Sequence, residues 1–272
     1  MTSVIALRIE IPGYRACAAL PALIDLLQHH QAGASFLFGL GADVWGRAPA
    51  RRCRAALAEV RAAGFELGIL GWQPAQWIRR AATASARWIT EQFSLARSAF
   101  EQVFGCAPTL TAAPGWQGNP HALRLTQRLG FACASDTRGR HPFLPVWHGE
   151  IVRCPQIPVT LPTFDELAAA RRLEMVAAVS ALLELSETPA PAGHVFSFQA
   201  SGGSSRALDG LDRLLAGWRA QGYRIVSLQT LAGALVIDAL PRHDIIIAAT
   251  AGSRRPLLTQ GDEFLAEWRT PQ

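Results

Sequence analysis

The chain predicts an α/β fold, an irregular (β/α) barrel of about seven parallel strands on one continuous domain, residues 1–272. Three observations predict it. Short runs rich in β-branched and aromatic residues alternate with amphipathic helical stretches almost from end to end. No shift in composition divides the chain. Half of the 272 residues are hydrophobic and 17% are charged, enough to bury a large core, and the length suits a barrel, which typically takes about 250 residues.

Residues 4–10 read as the first strand, and residues 21–30 as a helix with Leu23, Ile24 and Leu27 on one face. A strand at 34–40, a helix at 51–63 and a strand at 65–70 follow. A long helix covers 85–104 and a strand 109–113. The next helix starts near Asn119, which caps it, with Pro120 at the first position. Residues 131–135 form a strand ending at Asp136. Residues 151–159 are extended, 165–184 helical, and 189–193 a Pro/Gly-rich connector. The series closes with strand 195–199, helix 206–221 and strand 223–226. From about residue 241 the sequence predicts an extra strand and a C-terminal tail.

The formal net charge is +5 and all 26 basic residues are arginine. The arginine pairs at 51–52, 79–80 and 254–255 suit either anionic phosphate and lipid or a solvated helix face. No nucleic acid is expected as a partner. Five cysteines, an odd number with no CxxC pair, predict neither a zinc knuckle nor a disulfide framework, and read as small core residues. No signal-peptide pattern opens the sequence, and no stretch approaches the roughly 18 apolar residues of a membrane span. A cytoplasmic protein is expected.

Parallel barrels build their sites at the carboxyl ends of the strands. Those ends supply Glu10, then Trp72 and Gln73, then Trp116, then Asp136 and Arg138, then Gln199. None is a histidine, whereas a metal hydrolase needs two or three histidine or carboxylate ligands around one ion. Trp72, Trp77 and Trp116 near the strand ends form a candidate stacking platform for a sugar ring, although a tryptophan taken singly is more often packing. Glu10 and Asp136 are a possible carboxylate pair or the partners of Arg138 and Arg15.

At these strand ends the sequence resembles the polysaccharide deacetylase (NodB-homology) superfamily, and within it the deformylases of formamido-arabinose on undecaprenyl phosphate in lipid A modification. The resemblance spans nearly the whole chain: Leu7-Arg8-Ile9-Glu10 with Tyr14-Arg15, Ala113-Pro114-Gly115-Trp116, and Ser135-Asp136-Thr137-Arg138-Gly139 with Pro142-Phe143. Its most specific part is the segment at 156–166, QIPVTLPTFDE.

The resemblance implies N-acyl hydrolysis with a divalent metal, usually zinc. Carried over position by position, the catalytic base falls at Glu10 and the metal aspartate at Pro12. The metal histidines fall at Leu70 and at Pro74 or Ala75, and the late acid at Gln199. None of the residues at the metal positions offers a side-chain ligand, so no metal and no other cofactor is expected. Glu10 keeps only the family's base position. Tyr14, Arg15, Trp72, Trp116, Asp136, Arg138 and Gln199 are expected to bind substrate.

The expectation is therefore a metal-free, catalytically impaired relative. It would bind a lipid-linked or phospho-linked amino sugar as an accessory or regulatory protein, perched on the cytoplasmic face of the inner membrane. An active paralogue or another enzyme of the pathway would be its protein partner. The alternative is a working hydrolase of an N-formyl or N-acetyl bond on an undecaprenyl-phosphate-linked sugar.

Overall fold

The computed structural model describes residues 3–202 and 205–264. Seven parallel strands form a curled sheet in the order β5-β4-β3-β2-β1-β8, with β9 pairing the start of β1. These are β1 (Val4–Ile11), β2 (Ser35–Phe38), β3 (Glu66–Ile69), β4 (Leu110–Thr111), β5 (Cys133–Ala134), β8 (His194–Gln199) and β9 (Arg224–Val226). About seven parallel strands were expected, and the described residues form seven.

The period-2 alternation of β1 decides which layer each side chain joins. Ile5, Leu7, Ile9 and Ile11 join the main core between sheet and helices, with Phe36, Phe38, Phe196 and Phe198 of the neighbouring strands. Ala6, Arg8 and Glu10 alternate with them and turn into the barrel. Below, the interior is apolar, built from Ala6, Leu37, Leu110, Cys133 and Val195. Gly68 of β3 belongs to this layer, where a Cβ would lie 2.8 Å from both Leu37 and the Leu110 carbonyl. The barrel is too narrow there for a side chain.

The helices are α1 (Leu20–His29), α2 (Pro49–Arg52), α3 (Arg54–Ala62), α4 (Pro74–Arg80), α5 (Ala86–Phe104), α6 (Pro120–Arg128), α7 (Phe164–Arg171), α8 (Met175–Leu185), α9 (Ser205–Ala220) and α10 (Leu228–Gly233). Two helices expected to be continuous are each divided. The 51–63 stretch breaks at Cys53, which leaves helical backbone (φ −112°, ψ 17°) between α2 and α3. The 165–184 stretch breaks at Arg172, which takes a left-handed φ of 53° and ends α7. Neither break is marked by a glycine or proline at the position itself, so local sequence signals do not find them.

A larger correction concerns residues 140–160 and the C-terminal stretch. Strands β6 (Leu144–Trp147), β7 (Glu150–Ile151), β10 (Arg242–Ala248) and β11 (Leu257–Glu263) form a second sheet in the order β11-β10-β6-β7. The stretch from 241 is thus two strands up to Glu263, and the end of the expected tail lies outside the described residues. The second sheet grips the barrel through Arg138, whose backbone N–H donates to Leu258 O at 2.9 Å and whose carbonyl accepts from Gln260 N at 2.8 Å.

Within 151–159, only Glu150–Ile151 pairs as a regular strand. The chain that follows spans the gap between the two edge strands of the barrel. Ile157 N donates to Ala134 O on β5, and Leu161 N donates to Val195 O on β8.

A charged barrel mouth and its rim as candidate functional site

Above the apolar interior lies a layer of charge. Arg8 is wholly buried, and its guanidinium is paired with the Glu10 carboxylate two residues along the same strand. It also donates to Ser135 Oγ at 2.9 Å, while Ser197 Oγ donates to Glu10 at 3.2 Å. Glu10, the carried-over base position, is therefore tied to a buried cation by the strand's own alternation.

Asp136, just past β5, is buried beside Gln156. Its backbone N–H donates to Gln156 Oε1 at 2.9 Å, and Gln156 Nε2 donates to its carboxylate at 3.1 Å. Burial pushes the Asp136 carboxyl up to about 6, against the pull of the Gln156 hydrogen bond and the Arg8 charge. The crevice it lines, with Trp77, Gln92, Thr111 and Leu258, measures about 10 Å³, about the volume of a single water probe.

Arg138 is also buried. It donates to Leu161 O at 2.9 Å and pairs with Glu166 at 3.2 Å. The same Glu166 oxygen accepts from Thr163 N at 2.8 Å, while Thr163 Oγ1 accepts from Glu166 N, a complete capping box at the start of α7. Burial lowers the Arg138 pKa, and the Glu166 charge opposes that. The TFDE end of the segment at 156–166 thus supplies a helix cap that is also the counter-ion of Arg138.

Trp116 sits over both guanidinium groups, its ring 5.7 Å from the Arg8 Cζ and 5.1 Å from the Arg138 Cζ. Two successive left-handed residues, Gly115 (φ 58°) and Trp116 (φ 51°), turn the ring there. Its indole N–H is buried and has no hydrogen-bond partner among the described residues, nor has Nε of Arg8 or of Arg138. Buried polar groups are normally paired, so orphans gathered around one ring mark this layer as unlike the rest of the core.

Glu10, Trp116, Asp136 and Arg138 therefore come together, and Arg8, Gln156 and Glu166 join them. Sequence reading overlooked these three as site residues. Arg8 carried a signal, since a charge in the middle of VIALRIEI is costly unless paired.

The remaining candidates lie elsewhere at the strand ends. Tyr14 and Arg15, in the short turn after β1, border an open cleft of about 710 Å³ with Cys17, Arg52, Cys53 and Gly202. Gln199 ends β8, exposed, in register with Glu10. Trp72 packs against Gly41 in the loop after β2. Trp77 is a core residue that donates to Gln117 O at 2.6 Å and packs on Trp88 and Phe93, so it takes no part in the expected platform.

The side chains present do not fit a divalent cation. Leu70 is wholly buried in the apolar interior, and Pro74, the first residue of α4, is wedged where a Cβ on Gly39 would meet its ring at 2.4 Å. Among the described residues no three His, Cys, Asp or Glu side chains gather closely enough to hold a metal ion.

No family model matches the chain. In sequence it is 26% identical over 201 residues to a protein of Shewanella sediminis assigned as the 4-deoxy-4-formamido-L-arabinose-phosphoundecaprenol deformylase ArnD; the match covers 60% of this chain and 65% of that protein. A protein of the same assignment from Wigglesworthia glossinidia brevipalpis is 34% identical over 103 residues, 38% of this chain and 36% of the relative. Both matches span less than two thirds of the relative's length.

In structure, a polysaccharide deacetylase assigned from Mycobacterium smegmatis superposes with a TM-score of 0.68 at 15% identity, covering 89% of this chain and 92% of that one. A CE4 family pseudoenzyme from Bacillus anthracis gives 0.59 at 13% identity, covering 85% and 66%, and a mutant of that pseudoenzyme with restored activity gives the same score. These likenesses establish the barrel as that of the polysaccharide deacetylases. The chain thus shares its fold with the polysaccharide deacetylases and part of its sequence with proteins assigned as deformylases.

Proposed function

We propose that this chain binds a phospho-linked or lipid-linked amino sugar without hydrolysing it, as an accessory or regulatory relative of the deformylases it resembles. One observation supports the reading: the positions that the resemblance assigns to the metal hold Pro12, Leu70 and Pro74 or Ala75, while a charged and aromatic layer is assembled around Trp116. Without a metal, the water pKa stays near 15.7 rather than falling to about 7, and no nucleophile forms at neutral pH. The late acid position holds Gln199, which cannot transfer a proton there.

The cleft beside Tyr14, Arg15 and Arg52 has the size of a small-ligand site and guanidinium groups suited to a phosphate.

A second reading, an active N-acyl hydrolase, is favoured by Asp136, a buried carboxyl that titrates near 6 beside Arg8. Calorimetric titration with a water-soluble phospho-linked amino sugar, with a deformylase assay and metal analysis on the same preparation, separates the two. Binding without turnover, weakened roughly tenfold or more in Arg15→Ala, supports the first. Turnover that survives a chelator moves the conclusion to metal-free hydrolysis. Stoichiometric zinc and chelator-sensitive turnover return it to the metal-dependent enzyme.

A further inference from the structure

We propose that the loop between β2 and α2 docks the mouth face of the barrel onto an anionic lipid surface. At its tip Val44 is 85% exposed and Trp45 67% exposed, two large apolar side chains side by side in solvent. They are held out by design of the loop. Asp43 Oδ1 accepts from the backbone N–H of Trp45 at 2.9 Å and of Arg47 at 3.0 Å, and Oδ2 accepts from the Arg47 side chain at 2.7 Å. Arg47 then lies over the Trp45 ring at 4.5 Å and Arg15 at 5.4 Å.

The surroundings are basic. Residues 42–58 carry four arginines, Arg47, Arg51, Arg52 and Arg54, against one acid, Asp43, which Arg47 already neutralises. A tryptophan with an adjacent aliphatic residue, ringed by arginine, matches the chemistry of a headgroup layer, where the ring enters the interface and the cations meet lipid phosphate. A protein partner is the weaker fit. Stable protein interfaces bury about 800 Å² on each side, far more than two side chains provide, whereas a small wedge backed by charge suffices at a membrane.

The loop leaves the carboxyl end of β2, and so lies on the face that carries the charged mouth. Arg47 and Arg52 also stack on Tyr14, at 5.4 and 5.9 Å, which joins the patch to the open cleft. A barrel docked by this loop turns its cleft towards the lipid. The inference does not depend on the cleft holding a sugar, and its test uses vesicles without glycolipid.

The purified protein is sedimented with vesicles of equal parts phosphatidylglycerol and phosphatidylcholine, and with phosphatidylcholine alone. Binding to the anionic vesicles alone is expected, weakening as salt is raised. Val44→Ser with Trp45→Ser should lower the partition coefficient roughly tenfold, and Arg51→Ala and Arg52→Ala roughly fivefold each, with unchanged circular dichroism. Ile247→Ser, which removes an exposed apolar side chain on β10, should change nothing. Equal binding by the loop variants, or none by the parent, overturns the proposal, and the latter leaves the patch to an acidic protein partner.

Discussion

The centre of the barrel mouth and its rim are both rich in arginine and tryptophan, yet they use them in opposite ways. In the centre, Arg8 and Arg138 are buried, each paired with a buried carboxylate, and Trp116 lies over both. On the rim, Arg15 and Arg52 are exposed and Trp45 stands in solvent between Arg15 and Arg47. Desolvation makes the difference. A buried guanidinium forfeits its hydration and must be repaid by fixed partners, so changing a partner disturbs folding. An exposed one loses little on mutation, so its loss should register only when something binds.

The contrast is sharpest at Glu166. Glu166→Ala leaves Arg138 buried without its counter-ion and removes the capping box of α7, and should cost about 3–5 kcal/mol in denaturant unfolding. Glu166→Gln, which keeps the cap's acceptor but not the charge, should lose less. If both variants unfold with the parent, the pair is not holding the mouth together.

Asp136 offers a pH-dependent version of the same comparison. Its pKa rises from 3.8 to about 6 on folding, so the folded state binds the extra proton between those values. Stability from this group is therefore fully present below about pH 4 and is lost as pH rises through 6, by about 3 kcal/mol at most. Asp136→Asn should flatten that slope in melting curves taken from pH 4 to 8, whatever constant offset the substitution adds. An unchanged slope would show that the group does not titrate there.

Restoring a metal tests whether the centre has kept the relatives' geometry. Leu70→His alone puts an imidazole into the apolar interior and should cost about 2 kcal/mol. Pro12→Asp, Leu70→His, Pro74→His and Gln199→His together should bind zinc and raise the melting temperature when it is added, whereas no single change should. A folded fourfold variant without zinc affinity would mean that the loops carrying positions 12 and 74 have moved apart.

The smallest effect belongs to the rim. Trp45→Ala should change stability by no more than about 0.5 kcal/mol, since the ring is exposed, and should reveal itself only in vesicle binding. A marked loss of stability would mean that Trp45 packs more firmly than its exposure indicates.

The sequence by itself determined the parallel barrel, because strand and helix periods alternate without interruption and each strand's alternation assigns its residues to core or interior. It also determined which side chains stand at the strand ends, among them Glu10, Asp136 and Gln199. Tertiary structure decided the rest. The second sheet joins residues 144–147 to 242–263, a long-range pairing that no local period encodes. Arg138 found its counter-ion 28 residues away, and Gln156 reached Asp136 across 20. Even Arg8, whose oddity in an apolar strand was visible, owes its role to folding: only curling the sheet brings Ser135 beside it and leaves Glu10 next to a buried cation. Charge in a core has no meaning until its partners are known, and partners are set by three-dimensional proximity, whereas alternation and propensity act along the chain.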